Sequence, residues 1–289
     1  MHHPLIKPPP HGVHDCIEYT RISRSKLVSI APTPDLISTD CPRISYVVSF
    51  ERLHPLDLRH GATSANRLIS AFSREDIDHI WPELHPVSWS IREVIYEVGG
   101  PIDDVYFIEE GVASVLTVMA NHTASEVGMI GLDGMVGASS LLGAARAAQQ
   151  VIVQIPGTAL RMNAARCKVA FDERIGVRAV VLRFVNGFTN LSAQTAGCNL
   201  RHSARERCAR WLLMASDRAH SDVMPMTQEF LAWMLGLRRT GVTAIAGDLQ
   251  RSGLIQYHHG RIRIIDRTGL EATACECYGK DRDWLGHAF

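Results

Sequence analysis

Lysine is nearly absent from this chain of 289 residues: of 30 basic residues, four are lysine and 26 are arginine. Arginine's planar fork suits phosphate and guanine better than a point charge does. Long apolar runs are missing too. No stretch approaches the roughly eighteen apolar residues of a membrane-spanning helix, and the first 30 residues hold no leader-like apolar core. Cysteine is sparse and odd in number. Cys16, Cys41, Cys167, Cys198, Cys208, Cys275 and Cys277 are scattered, which excludes a disulfide framework and fits reduced thiols in the cytoplasm. Catalytic signatures are missing as well: there is no Gly-x-Ser-x-Gly elbow, phosphate loop, dinucleotide fingerprint or His-Glu-x-x-His pair. A single Ser-x-x-Lys match, Ser23-Arg24-Ser25-Lys26, stands in an irregular stretch without partner motifs. The chain does not read as an enzyme.

What is present is an ordinary globular composition, 46% apolar and 21% charged, able to build a substantial core. The formal charge is zero, yet it is unevenly laid out. Residues 61–173 hold seven basic against fourteen acidic side chains; residues 174–263 hold thirteen basic against five acidic. An acidic middle followed by a basic third predicts two modules, the second with an anionic partner.

The texture of the chain divides it further. Residues 1–60, with Pro8-Pro9-Pro10-His11 and scattered Ser/Thr/Pro clusters, read as an irregular or poorly ordered N-terminal arm. Short helices are predicted around 66–72 and 74–81, the second capped by Ser73. From residue 87 to 162, β-rich runs at 94–98, 105–108, 112–119, 126–130 and 151–155 alternate with breaks such as Gly99-Gly100-Pro101, Glu110-Gly111, Asp133-Gly134 and Pro156-Gly157. That pattern predicts an antiparallel sandwich or barrel. Residues 174–200 then lack proline and acidic residues altogether. Val177, Val181, Phe184, Phe188, Leu191, Thr195 and Cys198 recur there at spacings of four and three, the mark of a heptad-like helix about 40 Å long. These seven residues are expected to form a seam between two copies of the chain, with burial against its own domain as the alternative.

The most informative stretch is 226–265. Thr227 is placed to cap a helix whose apolar face is Phe230, Leu231 and Met234. Gly236-Leu237 makes a turn, and a second helix follows from about Arg238 to Arg251 with Val242, Ile245, Ala246 and Leu249 inward. Its other face carries Arg238, Arg239, Thr240 and Thr243. A hairpin closes the unit through His258-His259-Gly260 and Arg261. Helix, short turn, helix and hairpin make a winged helix-turn-helix, with two arginines where a recognition helix meets base edges and phosphates. Thr227, Gln228, His259 and Arg261 complete the expected DNA contacts.

The run Thr227-Gln228-Glu229-Phe230-Leu231-Ala232-Trp233-Met234-Leu235-Gly236-Leu237-Arg238-Arg239, continuing to Leu254-Ile255, resembles the DNA-binding domain of the Crp/Fnr family of bacterial transcription regulators. The resemblance spans about 66–278. It implies an α+β fold: an N-terminal β-roll of cyclic-nucleotide-binding type over residues 61–173, a dimerisation helix over 174–200, a winged reader over 201–278, and a C-terminal tail over 279–289. It implies a homodimer on a near-palindromic DNA operator, with RNA polymerase as a further partner and no membrane. Arg239 matches the family's guanine-reading arginine, whereas Thr240 and Ala244 replace a glutamate and a second arginine, so the operator should differ.

The effector loop departs from the cyclic-nucleotide pattern. Gly137, Ala138 and Ser139 stand where a Gly-Glu pair would grip ribose, and Ala147-Ala148-Gln149-Gln150 offers no Arg-Ser or Arg-Thr phosphate clamp. Arg146 alone neighbours that position. A buried phosphate without its arginine is an uncompensated anion, so gating by cyclic nucleotide is not expected and the small-molecule effector is unassigned. No cofactor is called for. Cys16 and Cys41 are too few for an iron–sulfur cluster, single histidines (His54, His60, His79, His85, His122) do not make a haem site, and Cys275-x-Cys277 has no second pair, so no metal is expected. The competing function is a ligand-sensing module whose winged helix binds protein, which salt dependence would separate from DNA binding.

Overall fold

The computed structural model describes residues 64–120 and 123–287, with side chains as far as residue 284. The expected arm over residues 1–60 lies outside the described residues, as do Cys16, Cys41, His54, His60 and His122.

Two short helices come first, α1 (Arg67–Ser70) and α2 (Arg74–Ile80). Asn66 and Ser73 start them because their side-chain oxygens accept first-turn backbone N–H groups that no helical carbonyl can reach. An antiparallel sheet follows: β1 (His85–Trp89), β2 (Val94–Tyr96), β3 (Asp104–Val118), β4 (Ala124–Ile130), β5 (Met135–Val136) and β6 (Gln150–Asn163), with α3 (Ala138–Leu141) between the last two. The strand order is β1-β6-β3-β4, with β2 also on β6 and β5 also on β3.

The expected break at Glu110-Gly111 is a bend inside one long strand. The β3–β6 register shifts on both sides of Glu110. A Cβ on Gly157 would lie 2.0 Å from the Glu110 carbonyl oxygen, and one on Gly111, at φ +90°, would lie 2.5 Å from that of Ile155. The two backbones approach so closely that only glycine fits, and the bend lets both strands curl around a shared core. That core includes Val105, Phe107, Ile108, Met135, Val153 and Leu160.

Helix α4 (Ala164–Glu173) leads into α5 (Ile175–Arg201), which lies along the roll. The face of α5 expected to form a seam between copies is turned inward. Val177, Val181 and Phe184 are buried in the roll's core. Leu191 joins a second core, Phe188 packs against both, and Thr195 Oγ1 accepts from Arg210 Nη2 at 3.1 Å. Cys198 is buried with Cys275 and Cys277. The heptad-like spacing is real, but it reports burial against the chain's own sheet and reader. A second row at the same spacing faces outward instead: Ile175, Ala179, Leu182, Asn186, Thr189, Ala193, Ala196 and Leu200 are all exposed.

After His202, Ser203 and Glu206 form a reciprocal capping box that starts α6 (Ala204–Ala219). The remaining elements are β7 (Val223–Pro225), α7 (Gln228–Leu235), α8 (Arg239–Arg251), β8 (Ile255–His258), β9 (Arg261–Ile264), α9 (Arg267–Thr273) and α10 (Cys277–His287). The small sheet has the order β7-β9-β8. Residues 279–289, expected as a tail, lie largely in α10. Asp281 on it is buried and accepts from Arg210 Nε at 2.6 Å, which a solvated tail would not do. Among the described residues no helix is long and apolar enough to cross a membrane.

The reader's core of Leu212, Leu213, Phe230, Leu231, Val242, Leu249, Ile262 and Leu270 is continuous with Val112, Leu116, Met129, Ile152 and Ile155 on the sheet. Reader and roll therefore share one apolar cluster.

Candidate nucleic-acid interface and effector cavity

Thr227 Oγ1 accepts from the Phe230 backbone N–H at 3.2 Å and starts α7; Gly236, left-handed at φ +62°, ends it. Arg238 then precedes α8 in extended conformation, with no side-chain cap on the helix. The first-turn N–H groups of α8 are thus left for solvent or an anion, beside the guanidinium groups of Arg238 and Arg239. Arg238, Arg239, Thr240, Thr243 and Ala244 are all exposed, while Val242, Ala246 and Leu249 are buried. Thr243 Oγ1 donates to Gln228 Oε1 at 2.7 Å, which ties the recognition face of α8 to the start of α7.

The wing is a tight hairpin. His259 at φ +46° and Gly260 at φ +72° supply the two left-handed residues that a right-twisted two-residue hairpin turn requires. His259 and Arg261 are exposed at its tip, and Arg263, two residues on, shares the outward face of β9 with Arg261. The alternation of Arg261, Ile262, Arg263 and Ile264 already encoded that face, so Arg263 belongs with the expected contacts. Thr227 is more occupied than expected: besides capping α7, its hydroxyl accepts from Arg92 Nη2 on the roll at 3.3 Å.

The expected effector residues divide. Gly137, Ala138 and Ser139 do line a cavity of about 170 Å³ inside the roll, closed by Phe184, Val185 and Phe188 of α5. Gly137, at φ +93°, has no room for a side chain, since a Cβ would meet Tyr96 Oη at 2.5 Å. Burial raises the Tyr96 pKa, and its hydroxyl donates to the Asp104 carbonyl. Arg146 is not part of the lining: it is exposed and donates from Nη1 to the Gly99 carbonyl at 2.7 Å. Its neighbours Ala147, Ala148 and Gln149 line the cavity instead, and no cationic side chain does among the described residues.

Roll and reader also meet through charge. Trp211 Nε1 on α6 donates to Glu126 Oε1 on β4 at 2.7 Å, and Arg218 Nε lies 3.2 Å from Asp133 Oδ2. Glu126 is fully enclosed; burial pushes its carboxyl up to about 7, against the opposing pull of bonds from Ser114 and Trp211 and the charges of Arg218 and Arg210. A charged cleft of about 610 Å³ opens beside this contact, lined by Arg67 and Asp133 from the roll side and by Arg218, Arg267, Tyr278 and Arg282 from the reader.

A curled antiparallel sheet joined by a long helix to a winged reader is the architecture of a sensor–reader transcription regulator. Residues 86–173 match the cyclic nucleotide-binding domain family, and residues 206–273 match the Crp-like helix-turn-helix domain family. The chain therefore carries, in order, the two domains of a Crp/Fnr-like transcription regulator. Among solved structures, FixK2 from Bradyrhizobium japonicum is similar at TM-score 0.58 and 17% identity, over 66% of this chain and 98% of that one. TTHA1359, a Crp/Fnr-family regulator from Thermus thermophilus, gives 0.56 and 21% over 66% and 98%. The c-di-GMP-responsive regulator CLP from Xanthomonas campestris gives 0.55 and 15% over 66% and 99%. No curated protein matches the chain by sequence.

Proposed function

We propose that this regulator binds a near-palindromic DNA operator as a homodimer, in the cytoplasm, without a cyclic nucleotide as its gate. The observation that carries the reading is the solvent-open row Arg238, Arg239, Thr240 and Thr243 at the start of α8, flanked by the arginine-bearing wing. Arg239 reads guanine and Arg238 holds phosphate or base; Thr240 and Ala244 contribute no charged contact. Two copies pair along the exposed α5 row of Ile175, Ala179, Leu182, Asn186, Thr189, Ala193, Ala196 and Leu200, the phase opposite to the buried one. Pairing sets two recognition helices about 34 Å apart, one turn of DNA. RNA polymerase is the expected protein partner.

The cavity supports independence from cyclic nucleotide. At about 170 Å³ it falls below the range of roughly 300–1,000 Å³ usual for ligand sites. A phosphate placed there would meet mostly apolar side chains, the neutral polar groups of Tyr96, Ser139, Gln149 and Thr189, and no described cation. CLP responds to c-di-GMP, a phosphate-bearing ligand; the same want of a cation argues against such a ligand in this cavity.

The test is selection of genomic DNA fragments by purified protein at two salt concentrations with no ligand added. A two-fold symmetric motif is the expected outcome, with affinity falling steeply as salt rises. Failure to enrich any motif overturns effector independence, and salt-insensitive binding to protein alone would favour an interaction module.

A further inference from the structure

We propose that Cys198, His202, Cys275 and Cys277 bind one zinc-class divalent ion, which pins the end of the long helix to the reader's C-terminal segment. One ligand atom from each of the four lies within 4.8 Å of all the others. Cys198 Sγ is 3.5 Å from Cys275 Sγ, and Cys277 Sγ is 3.6 Å from His202 Nδ1. A tetrahedron with bonds of about 2.3 Å to sulfur and 2.0–2.1 Å to nitrogen has edges of about 3.5–3.8 Å. The four side chains therefore stand near the corners of such a site. A three-cysteine, one-histidine set with no open position is the donor pattern of a structural zinc site, and ligands this close suit a single ion.

The surroundings agree with ligation. His202 Nε2 lies 3.2 Å from Glu276 Oε2, an acceptor for a proton on that nitrogen, while Nδ1 faces Cys277 Sγ. Gln194 Nε2 donates to Cys277 Sγ at 2.8 Å and fixes the sulfur's position in the cluster. Buried cysteines commonly act as small apolar fillers. These three instead form a patch of their own, outside both apolar cores, with an imidazole turned into it. Binding replaces three thiol protons by the ion and releases them to solvent: one divalent cation plus three thiols and one imidazole give a complex of charge −1 and three protons.

The placement gives the ion a mechanical role. Cys198 and His202, four residues apart, sit on one face at the end of α5, and His202 is its cap immediately before Ser203 starts α6. Cys275 and Cys277 lie at the passage from α9 into α10. The ion thus closes a loop of more than seventy residues across the joint between helix and reader. This site is independent of whether the reader binds DNA.

The test uses the full chain, purified under reductant, stripped with a chelator and titrated with cobalt(II). One equivalent per protomer is expected to give the strong visible bands of tetrahedral cobalt and a thiolate-to-cobalt charge-transfer band, both abolished by zinc. The pair Cys275→Ser/Cys277→Ser should lose the bands, whereas Cys167→Ser/Cys208→Ser should keep them. His202→Cys should keep an ion and shift the spectrum toward four thiolates. Metal removal should speed hydrogen exchange at residues 198–203 and 275–287. Absence of cobalt bands in the wild-type chain overturns the site, as does their survival in the Cys275/Cys277 pair. So would an iron–sulfur chromophore, or a Cys198–Cys275 disulfide in reduced protein. Unchanged exchange would refute the pinning role.

Discussion

Replacing Glu126 with glutamine removes a buried ionisable group while keeping an oxygen for Trp211 Nε1 to donate to. In the folded chain the carboxyl is raised from the ordinary 4.5 to about 7, with burial the largest cause. The folded state therefore holds this proton over a pH range in which the unfolded state has already released it. Stability from this group is fully present below about 4.5 and is lost as pH rises through about 7. At about 1.4 kcal/mol per pH unit, the ionised form costs roughly 3 kcal/mol above pH 7. Among the described residues Glu126 Oε2 has no hydrogen-bond partner, so on that side no described group offsets the charge. Glu126→Gln should accordingly be more stable than wild type at pH 8, by about 1–3 kcal/mol once imperfect packing of the amide is allowed for. At pH 4.5 the two should be nearly equal. Urea unfolding at pH 4.5, 6, 7 and 8, followed by circular dichroism, measures the gap. A gap that does not widen with pH, or a variant less stable than wild type at pH 8, would refute the assignment of a neutral Glu126 to the roll–reader contact.

Arg239→Ala should cost about 1–3 kcal/mol on the selected operator and much less on random DNA; equal losses on both refute base reading. Leu182→Glu, on the exposed α5 row, should shift the dimer to monomer in sedimentation at low concentration while leaving the melting temperature of the protomer nearly unchanged. Phe188→Ala, on the inward row, should do the reverse, costing about 2–3 kcal/mol of protomer stability, below the range for a fully buried phenylalanine. Cyclic AMP at about 1 mM should leave thermal unfolding unmoved, whereas a site with Kd of about 10 μM would stabilise by roughly 2.7 kcal/mol.

The reader was legible because its signals are local. The Thr227 cap, the Gly236 turn, the paired arginines and the His259-Gly260 hairpin each depend on neighbours within a few positions, and each stands where the spacing puts it. The α5 row shows the limit of the same reasoning. Spacings of four and three identify an apolar helix face, but a second copy and the chain's own sheet leave the same period. Only the position of Phe184 over Gly134 and of Phe188 over Gly128 settles which of the two the face meets. Gly111 misled for a related reason: it read as a strand break, when its function is to let β3 pass against Ile155 and continue. Residues 279–289 read as a tail because the resemblance ends at about 278 and the partner of Asp281, Arg210, lies 71 positions away. Cys198 and His202 carried a local signal, two ligand types one helical turn apart, but their complement at Cys275 and Cys277 becomes visible only when the chain closes on itself.

The contact between roll and reader bears on how such a regulator can be controlled. Val112, Leu116, Met129, Ile152 and Ile155 of the sheet belong to the same apolar cluster as the reader's own core. Swinging the reader away about the joint at His202 and Ser203 would return part of this apolar set to water. At about 1.5–3 kcal/mol for complete burial of a Val, Leu, Ile or Met, exposing even half of this set costs roughly 4–8 kcal/mol. A ligand acting from a distant site typically couples with about 1–3 kcal/mol, which is too little to drive such a separation. Ionising Glu126 supplies a comparable 3 kcal/mol or so and is likewise insufficient alone. The energetics therefore favour a reader whose seat on the roll is constitutive, with any regulation acting as a small adjustment within the docked state. Such a seat is compatible with the proposed effector-independent binding, which the ligand-free DNA selection tests directly.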